Sequence, residues 1–473
     1  MEEFISSSVS LFTKFLSESE NLIKKNNLPS YLVSFALNYP ASNLENKFDF
    51  LLKLHERSFY FEKPDENFLI FGMDEALNIT ENGEKRFSVT DKKIREWKEK
   101  FHSNWAQFNG IVFPLFLGSI KFAVEHADND WSDFNDSTWF VPEVLLFKTK
   151  EQRFLLFNFV YSSEFPKSII INKFTSKLEK LFNNNFQPKE KPASKILHSL
   201  GSSPKDKKKW KNLVVEALEK ISEKEVNKIV LSRRVDLLLT EEPDFYTVLK
   251  RLRKDYGDTY LFINHHGKSS FFGATPERLA KFTEGKIEID ALAGSAPRGK
   301  NDSEDLIIEN NLLSDKKNLN EHNFVIDHIR SSIINFTKDF TILPNNKIRK
   351  LANIQHLWTK ISAKLNDNSS MMLLLKELFP TPAVCGIPKD TALQLIKKLE
   401  GYKRGLYSGT VGWFNFNNEG EFVIGIRSAL SLNNKLIAFA GCGIVENSDP
   451  ELEYQETELK LKTILSLFNE TQN

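Results

Sequence analysis

The chain has 473 residues, 41% apolar and 27% charged, the make-up of an ordinary globular protein with a sizeable core and room for about three domains or one large two-layer unit. Its 64 basic and 63 acidic side chains leave a net charge of +1, which excludes a global field for nucleic acid or an anionic membrane, so partners must be recognised locally. Only Cys385 and Cys442 occur, 57 positions apart and outside any CxxC or Cys/His pattern, and the acidic start MEEFISSSVSLFTKF with no apolar run near 18 residues predicts a soluble, cytoplasmic protein without structural zinc.

Residues 1–55 read as an amphipathic helix followed by an extended piece around SYLVSFALNY, with no motif attached. From 56 to 200 the chain is β-rich. SFYFEKPDENFLIFGMD at 58–74 alternates around a Pro-Asp turn, WFVPEVLLFK at 139–148 and RFLLFNFVY at 153–161 predict a hairpin, and a helical pattern lies near Asp91 to Phe108. The forty Phe residues run through such segments and are read as core and sheet packing. A stretch rich in Pro, Ser and Lys at 186–210 reads as a linker or surface crossing.

The region 208–468 opens with a helix from Trp210 to Lys220 and the strand KIVLSRRVDLLL at 228–239. A helical stretch around Thr247 to Lys254 leads into short strands at 259–264, 269–274, 278–282 and 286–294, with hairpin turns HHGK and EGK. One long helical region spans roughly Ser303 to Phe336, and others Met371 to Phe379 and Thr391 to Leu399. The strands TVGWFNF, FVIGIRSALSL and KLIAFAGCGI then precede a final helix in which Ser448 is the expected N-cap, Pro450 lies in the first turn and Glu451 completes a capping box. No internal repeat is visible. Hairpins mixed with long helices predict an antiparallel α+β architecture.

The final helix places Glu453, Glu456, Thr457 and Lys460 on one face at i, i+3, i+4 and i+7, either a solvated stripe or a site. Lys228 shares a strand face with Val230, Ser232 and Arg234, which suits a solvated edge residue or a buried base. Glu277 follows a strand in GATPERL, where its carboxylate either pairs with Arg278 or stands at the mouth of a sheet. Glu321 shares a helix face with Phe324, Val325 and His328, so burying it requires a cation; carboxylates from that helix and the last one would suit magnesium if the fold joins them. Arg427, among apolar neighbours in what reads as mid-strand, needs an anion, whether an internal partner or a ligand carboxylate. His356 in IQHLWTKI is a satisfied core histidine or a donor to a ligand, TPAVCGIPK at 381–389 is a rigid loop, and no Walker or dinucleotide fingerprint occurs.

The segments KIVLSRR, FFGATPERL, ALAGSAPRG, LLSDKKNLNEH, IQHL, LFPTPAVCGIPK, LYSGTVGWF, GIRSAL and AGCGIVENSDPELEYQETELK, in this order, resemble the chorismate-utilising enzymes, continuously from about 208 to 468 and more weakly back to FYFEKPDENFLIFG. The resemblance implies two large antiparallel sheets packed together with surrounding helices, one domain made of 208–468 with the preceding part, chorismate as substrate and Mg²⁺ as cofactor. Carried over by motif, Glu321 and Glu456 would hold the metal with Glu453 nearby, and Arg427, Tyr407, Gly441 and Lys460 would hold the substrate carboxylates. His356 would lie against the ring, with Ala293, Gly294, Ser295 and Ala383 also lining the substrate site; Lys228 would be the general base that activates water and Glu277 the general acid. An amine can serve as that base only where its surroundings disfavour the ammonium form, and Glu277 must instead keep its proton beside a metal.

Within the family the similarity is greatest to members that convert chorismate to isochorismate. Ammonia-using relatives carry glutamine where Lys228 stands, and aminodeoxychorismate synthases carry a nucleophilic lysine where Ala293 stands. Salicylate synthases, which go on to eliminate pyruvate, share the lysine base and are the alternative; a non-catalytic chorismate-binding protein is a third expectation. Cys442 departs from the alanine more usual in that turn. The implied protein is a monomer acting on a small molecule, with no amidotransferase subunit, no nucleic acid and no membrane, in menaquinone or siderophore biosynthesis.

Overall fold

The computed structural model describes residues 2–26, 29–39, 55–108, 114–124, 130–162, 165–183, 194–342, 347–350, 354–367 and 369–468. Two sheets face each other, of 13 and 10 strands among the described residues, and every pairing is antiparallel except Tyr31–Asn38 beside Phe101–Ser103. Alternate residues of each strand fill the space between them: Phe59, Phe61, Phe271 and Phe439 from the first sheet meet Leu117, Val411 and Val423 from the second. The opposite faces carry helices. Glu2–Asn26, Lys167–Asn183 and Pro450–Leu465 cover the first sheet through Phe12, Leu16, Phe174, Leu178, Leu461 and Ile464. Arg86–Lys98, Lys316–Ile333 and Met371–Leu378 cover the second through Phe87, Val325, Ile329 and Leu374. The fold is therefore the α+β pair of packed sheets expected.

The pairing order contains a symmetry. Across the first sheet it runs Lys435–Ile444, Ser428–Leu432, Ser269–Thr275, Tyr260–His266, Arg57–Lys63, Phe68–Met73, Val144–Lys148, Arg153–Tyr161. Outward from the middle, both halves have the same connectivity: a hairpin, a passage into the second sheet, a return, and a second hairpin. The second sheet repeats the pattern about the pair Thr410–Asn415 and Leu115–Ile120. This is an internal structural repeat that the sequence does not display.

The passages lie side by side in each half. In the N-terminal half they are Asp74–Ala76 and Pro142–Glu143, joined by the Ala76 N–H donating to Val141 O at 2.8 Å. Ion pairs seal that corner: Asp74 with His55 and Lys177, both at 2.8 Å, and Glu143 with Lys177 at 2.6 Å. In the C-terminal half they are Pro276–Glu277 and Gly425–Arg427, joined by the Ile424 N–H to Glu277 O at 3.0 Å and the Ala274 N–H to Arg427 O at 3.2 Å. This corner is open and forms the site.

Several local expectations are corrected. WFVPEVLLFK is two strands, because Pro142 breaks the ladder and sends its halves to different sheets. FVIGIRSALSL divides in the same way, so Arg427 sits between strands at φ +50° rather than mid-strand. The helical region 303–336 is two helices, Asp302–Ser314 and Lys316–Ile333, the second capped by Asp315 accepting from the Asn318 N–H at 2.8 Å. The expected linker holds an edge strand, Ile196–Leu200, and the first turns of the helix Pro204–Ser222; its residues 186–193, like 40–54 of the N-terminal segment, lie outside the described residues. The helix near 91–108 is Arg86–Lys98. The strand Ile354–Leu365 has no counterpart among the expected elements.

Candidate active site

Each pocket residue is placed by a different element. Strand Lys228–Leu239 lies against Lys435–Ile444 with Val230 opposite Gly443 and Ser232 opposite Gly441, so Lys228, at the strand's start, faces the same side as the two glycines. It is not a solvated edge residue: Gly386–Ile387 pairs along its other side and Lys228 is 3% exposed. Its Nζ donates to Glu321 Oε1 at 2.6 Å. Glycine at 443 leaves room for this contact: a Cβ there would stand 2.9 Å from Lys228 Cε and 3.5 Å from Glu321 Oε1.

Helix Lys316–Ile333 brings Glu321 to this contact by burying His322, Val325 and Ile329, with His322 Nε2 and Thr359 Oγ1 at 2.8 Å. Phe324, expected on the buried face, is instead 49% exposed. The final helix is capped by Asp449, not Ser448: its carboxylate accepts from the N–H groups of Glu451 and Leu452 at 2.8 and 2.9 Å. Ser448 Oγ instead accepts from the Val445 N–H at 3.1 Å, so the expected capping box is absent. Arg233 Nε donates to Thr457 Oγ1 at 2.8 Å and Lys460 Nζ to Gly441 O at 2.8 Å, which pins the helix across the strands with Glu456 and Lys460 facing the pocket. Lys460 also pairs with Glu456 at 2.6 Å.

Gly294, at φ +76°, is the extra residue of a bulge in Lys286–Pro297: Ala293 opposes Leu357 and Ser295 opposes His356. The bulge turns Ser295 toward the histidine, with Oγ and Nδ1 2.8 Å apart. Burial, helped by Arg427 and Lys460, drives His356 down to about 3, so its imidazole is neutral at physiological pH. Tyr407 stacks on Phe439, ring centroids 5.0 Å apart, and Ser408 beside it has φ +57°. Left-handed backbone at non-glycine residues costs on the order of 1–3 kcal/mol and is retained where the surroundings over-determine it.

Thirteen of the fourteen residues singled out from sequence line one cavity of about 790 Å³ counted to its mouth: Lys228, Glu277, Ala293, Gly294, Ser295, Glu321, His356, Ala383, Tyr407, Arg427, Gly441, Glu456 and Lys460. Glu453 does not line it; it is buried behind Glu456 on the same helix. Further lining residues were not singled out, among them Ser408, Phe439, Ile426 and Gly443. Gly443 had a legible signal, since it stands two residues from Gly441 and so on the same strand face.

The electrostatics divide the pocket. Arg427 is 7% exposed, and among the described residues its guanidinium has no hydrogen-bond or ion-pair partner; burial lowers it from its ordinary value and the charge of Glu456 opposes that. A buried arginine open only to the cavity is suited to bind an anion there. Burial raises Glu456, but Lys460, with His356 and Arg427, outweighs this and holds its carboxyl below the ordinary value. Burial and the charge of Glu456 push Glu453 up. Glu277 does not pair with Arg278, which binds Asp290, Glu288 and Glu421 instead. Burial raises Glu277 to about 7 against the opposing charges of Lys460 and Lys228.

Among the described residues no three His, Cys, Asp or Glu side chains converge as a ready-made metal cluster. Two carboxylates, Glu321 and Glu456, nevertheless open into one cavity, a hard-oxygen donor set compatible with a magnesium ion completing its shell with ligand oxygens and water. Each touches one lysine, Glu321 meeting Lys228 and Glu456 meeting Lys460, both at 2.6 Å.

The family model described as "Chorismate binding enzyme" matches residues 15–469. The chain is 31% identical over 414 residues to the isochorismate synthase MenF of Bacillus subtilis, covering 86% of this chain and 87% of that protein. It is 30% identical over 415 residues to the salicylate biosynthesis isochorismate synthase of Pseudomonas aeruginosa, covering 86% and 83%. The menaquinone-specific isochorismate synthase MenF of Escherichia coli has the same fold, with a TM-score of 0.77 at 22% identity over 96% of this chain and 99% of that one. The chain belongs to the family of chorismate-binding enzymes.

Proposed function

We propose that this protein is an isochorismate synthase, converting chorismate reversibly to isochorismate by attack of water at ring carbon 2 with loss of the hydroxyl at ring carbon 4. The observation that carries this is a lysine amine and a carboxyl group held protonated up to about pH 7, both facing one cavity that also presents an unpartnered buried arginine. Such a pair can take a proton at one place while giving one at another, each contributing typically about 10²–10⁴-fold in rate. Lys228 accepts the proton of the attacking water. Glu277 donates to the departing hydroxyl, which leaves as water. Arg427 and the Lys460 ammonium hold the substrate carboxylates, with Tyr407 and the Gly441 backbone shaping that side of the pocket. His356, neutral and held by Ser295, lies against the ring as a hydrogen-bonding group rather than a charge.

Glu321 and Glu456 would hold Mg²⁺, with Glu453 supporting from behind; the ion supplies a positive charge for a ring carboxylate. The reading extends to one catalytic unit over residues 56–468, acting as a cytoplasmic monomer without an amidotransferase subunit, its product serving menaquinone or siderophore synthesis. Among the described residues no helix is long and apolar enough to cross a membrane. Hydrogen bonding of Tyr260–His266 to Arg57–Lys63 and of Thr410–Asn415 to Leu115–Ile120 supports the single unit.

The test is incubation with chorismate and magnesium followed by chromatography of the products. Isochorismate is expected, in equilibrium with chorismate; salicylate with pyruvate would establish salicylate synthase activity instead, and no conversion would leave a binding protein. Lys228→Ala is expected to lower turnover by about 10²-fold or more while chorismate binding, followed by fluorescence titration, persists.

A further inference from the structure

The strand Lys228–Leu239 is paired along one edge with Lys435–Ile444 from Ile229 to Leu238, but its other edge is paired only towards the ends, by Gly386–Ile387 at Lys228 and Ile229 and by Ile196–Leu200 from Asp236 onward. Between them, among the described residues, no strand runs beside Val230 and Ser232. Backbone polar groups buried there need other partners. The Val230 N–H donates to Cys385 O at 2.8 Å, and a buried ion pair meets the next groups along the edge. Arg404 Nη2 donates to Val230 O at 2.7 Å, while Glu400 Oε1 accepts from the Ser232 N–H at 2.6 Å and from Ser232 Oγ at 2.9 Å.

The same guanidinium ties in two more pieces of chain. Its Nη1 donates to Val384 O at 2.9 Å and its Nε to Glu400 Oε2 at 2.8 Å, and its Cζ lies 4.4 Å from the centre of the Phe122 ring. Arg404 O accepts from the Tyr407 N–H at 2.9 Å, which closes the turn that presents Tyr407. A Cβ on Gly441 would meet Tyr407 Oη at 3.0 Å and Ser232 Cβ at 3.2 Å, so turn and strand converge on that backbone. Strand, loop and turn therefore meet at one fork, and each supplies cavity wall: Val230, then Ala383 and Val384, then Tyr407. Glu400 and Arg404 themselves stand behind that wall and do not line the cavity.

We propose that the Glu400–Arg404 pair is a positioning device for the carboxylate end of the substrate, holding Ala383, Tyr407 and Gly441 at the spacing that grips it. The inference rests on the reading of this cavity as the chorismate site. A planar fork making four hydrogen bonds to Glu400, Val230 and Val384 fixes distance and angle together, which one ammonium group cannot do. Lys228 is held separately, by Gly386–Ile387 and by Glu321, so loosening the fork acts on binding more than on proton transfer.

Arg404→Lys in the full-length enzyme with magnesium keeps the charge beside Glu400 but cannot span both carbonyls. The expected result is a KM for chorismate raised at least about tenfold, with kcat within about threefold of the parent. A smaller rise in KM overturns the proposal whatever the urea midpoint, because a group serving stability alone lowers the midpoint and leaves the KM of the folded enzyme as it was. Ser232→Ala removes one hydrogen bond without stranding a buried charge, and decides the matter if Arg404→Lys does not fold: KM should rise at least about threefold, and a smaller rise overturns the proposal. Chorismate neither bound nor converted by the unaltered protein defeats the reading of the site itself, and this proposal with it. Binding without conversion leaves the test intact, with Kd from fluorescence titration in place of KM.

Discussion

Glu277, the proposed general acid, meets two opposed demands. The acid that protonates a leaving hydroxyl must hold its proton near neutrality, yet it shares a cavity with two lysines that favour the carboxylate. Burial wins and raises it to about 7. Turnover is therefore expected to fall as pH rises through about 7, because the proton to be donated is lost; a kcat profile whose descending limb is absent in Glu277→Gln checks this. The same shift acts on stability. The folded value exceeds the unfolded one, so the contribution of the protonated group is complete below the ordinary carboxylate range and disappears as pH rises through about 7. Glutamine has no ionisation to suppress. Glu277→Gln should match the parent in thermal unfolding at about pH 4 and exceed it at about pH 8.5 by on the order of 2 kcal/mol, while losing about 10²-fold or more in kcat.

Strand Lys435–Ile444 gives the pocket its floor, and Gly441 and Gly443 leave room there for Lys460 to reach a backbone carbonyl and for Lys228 to reach Glu321. Gly443→Ala places a methyl 2.9 Å from Lys228 Cε, so a drop in kcat of at least about tenfold is expected with little change in the urea midpoint, since the displaced atom ends a flexible side chain. Elements with one period throughout were legible: KIVLSRRVDLLL alternates and is a strand over Lys228–Leu239, and the stripe Glu453, Glu456, Thr457, Lys460 does face inward. What was not legible concerns places where one apolar run serves two sheets. Pro142 and the Gly425–Arg427 turn interrupt runs whose hydrophobicity continues unbroken, so pattern alone joins what the fold separates. The pocket residues were found through motif resemblance more than through periodicity. Nothing in the chain order of Lys228, Glu277, Glu321 and Glu456 announces that they meet, because topology alone brings them together.

At the scale of the molecule the two sheets are joined by an aromatic core and by polar contacts across it, Tyr260 Oη donating to Glu421 Oε1 at 2.7 Å and Asn264 Nδ2 to Ser119 Oγ at 2.9 Å. Glu421 also faces Arg278 and Lys281, yet burial still raises its carboxyl above the ordinary value. Tyr260→Phe leaves that acceptor short of a donor and should cost about 1–3 kcal/mol in urea unfolding, with KM for chorismate unaltered. The mirrored connectivity gives each half one corner where the chain changes layers twice. One is cemented by Asp74, Glu143 and Lys177, and its counterpart is left hollow around Glu277 and Arg427. Those four passages act as stitches between the layers, and a stitched seam does not part. The last helix and the Ala293–Ser295 bulge line the hollow corner, so occupancy should change amide exchange there and leave the interior of both sheets as slow as before.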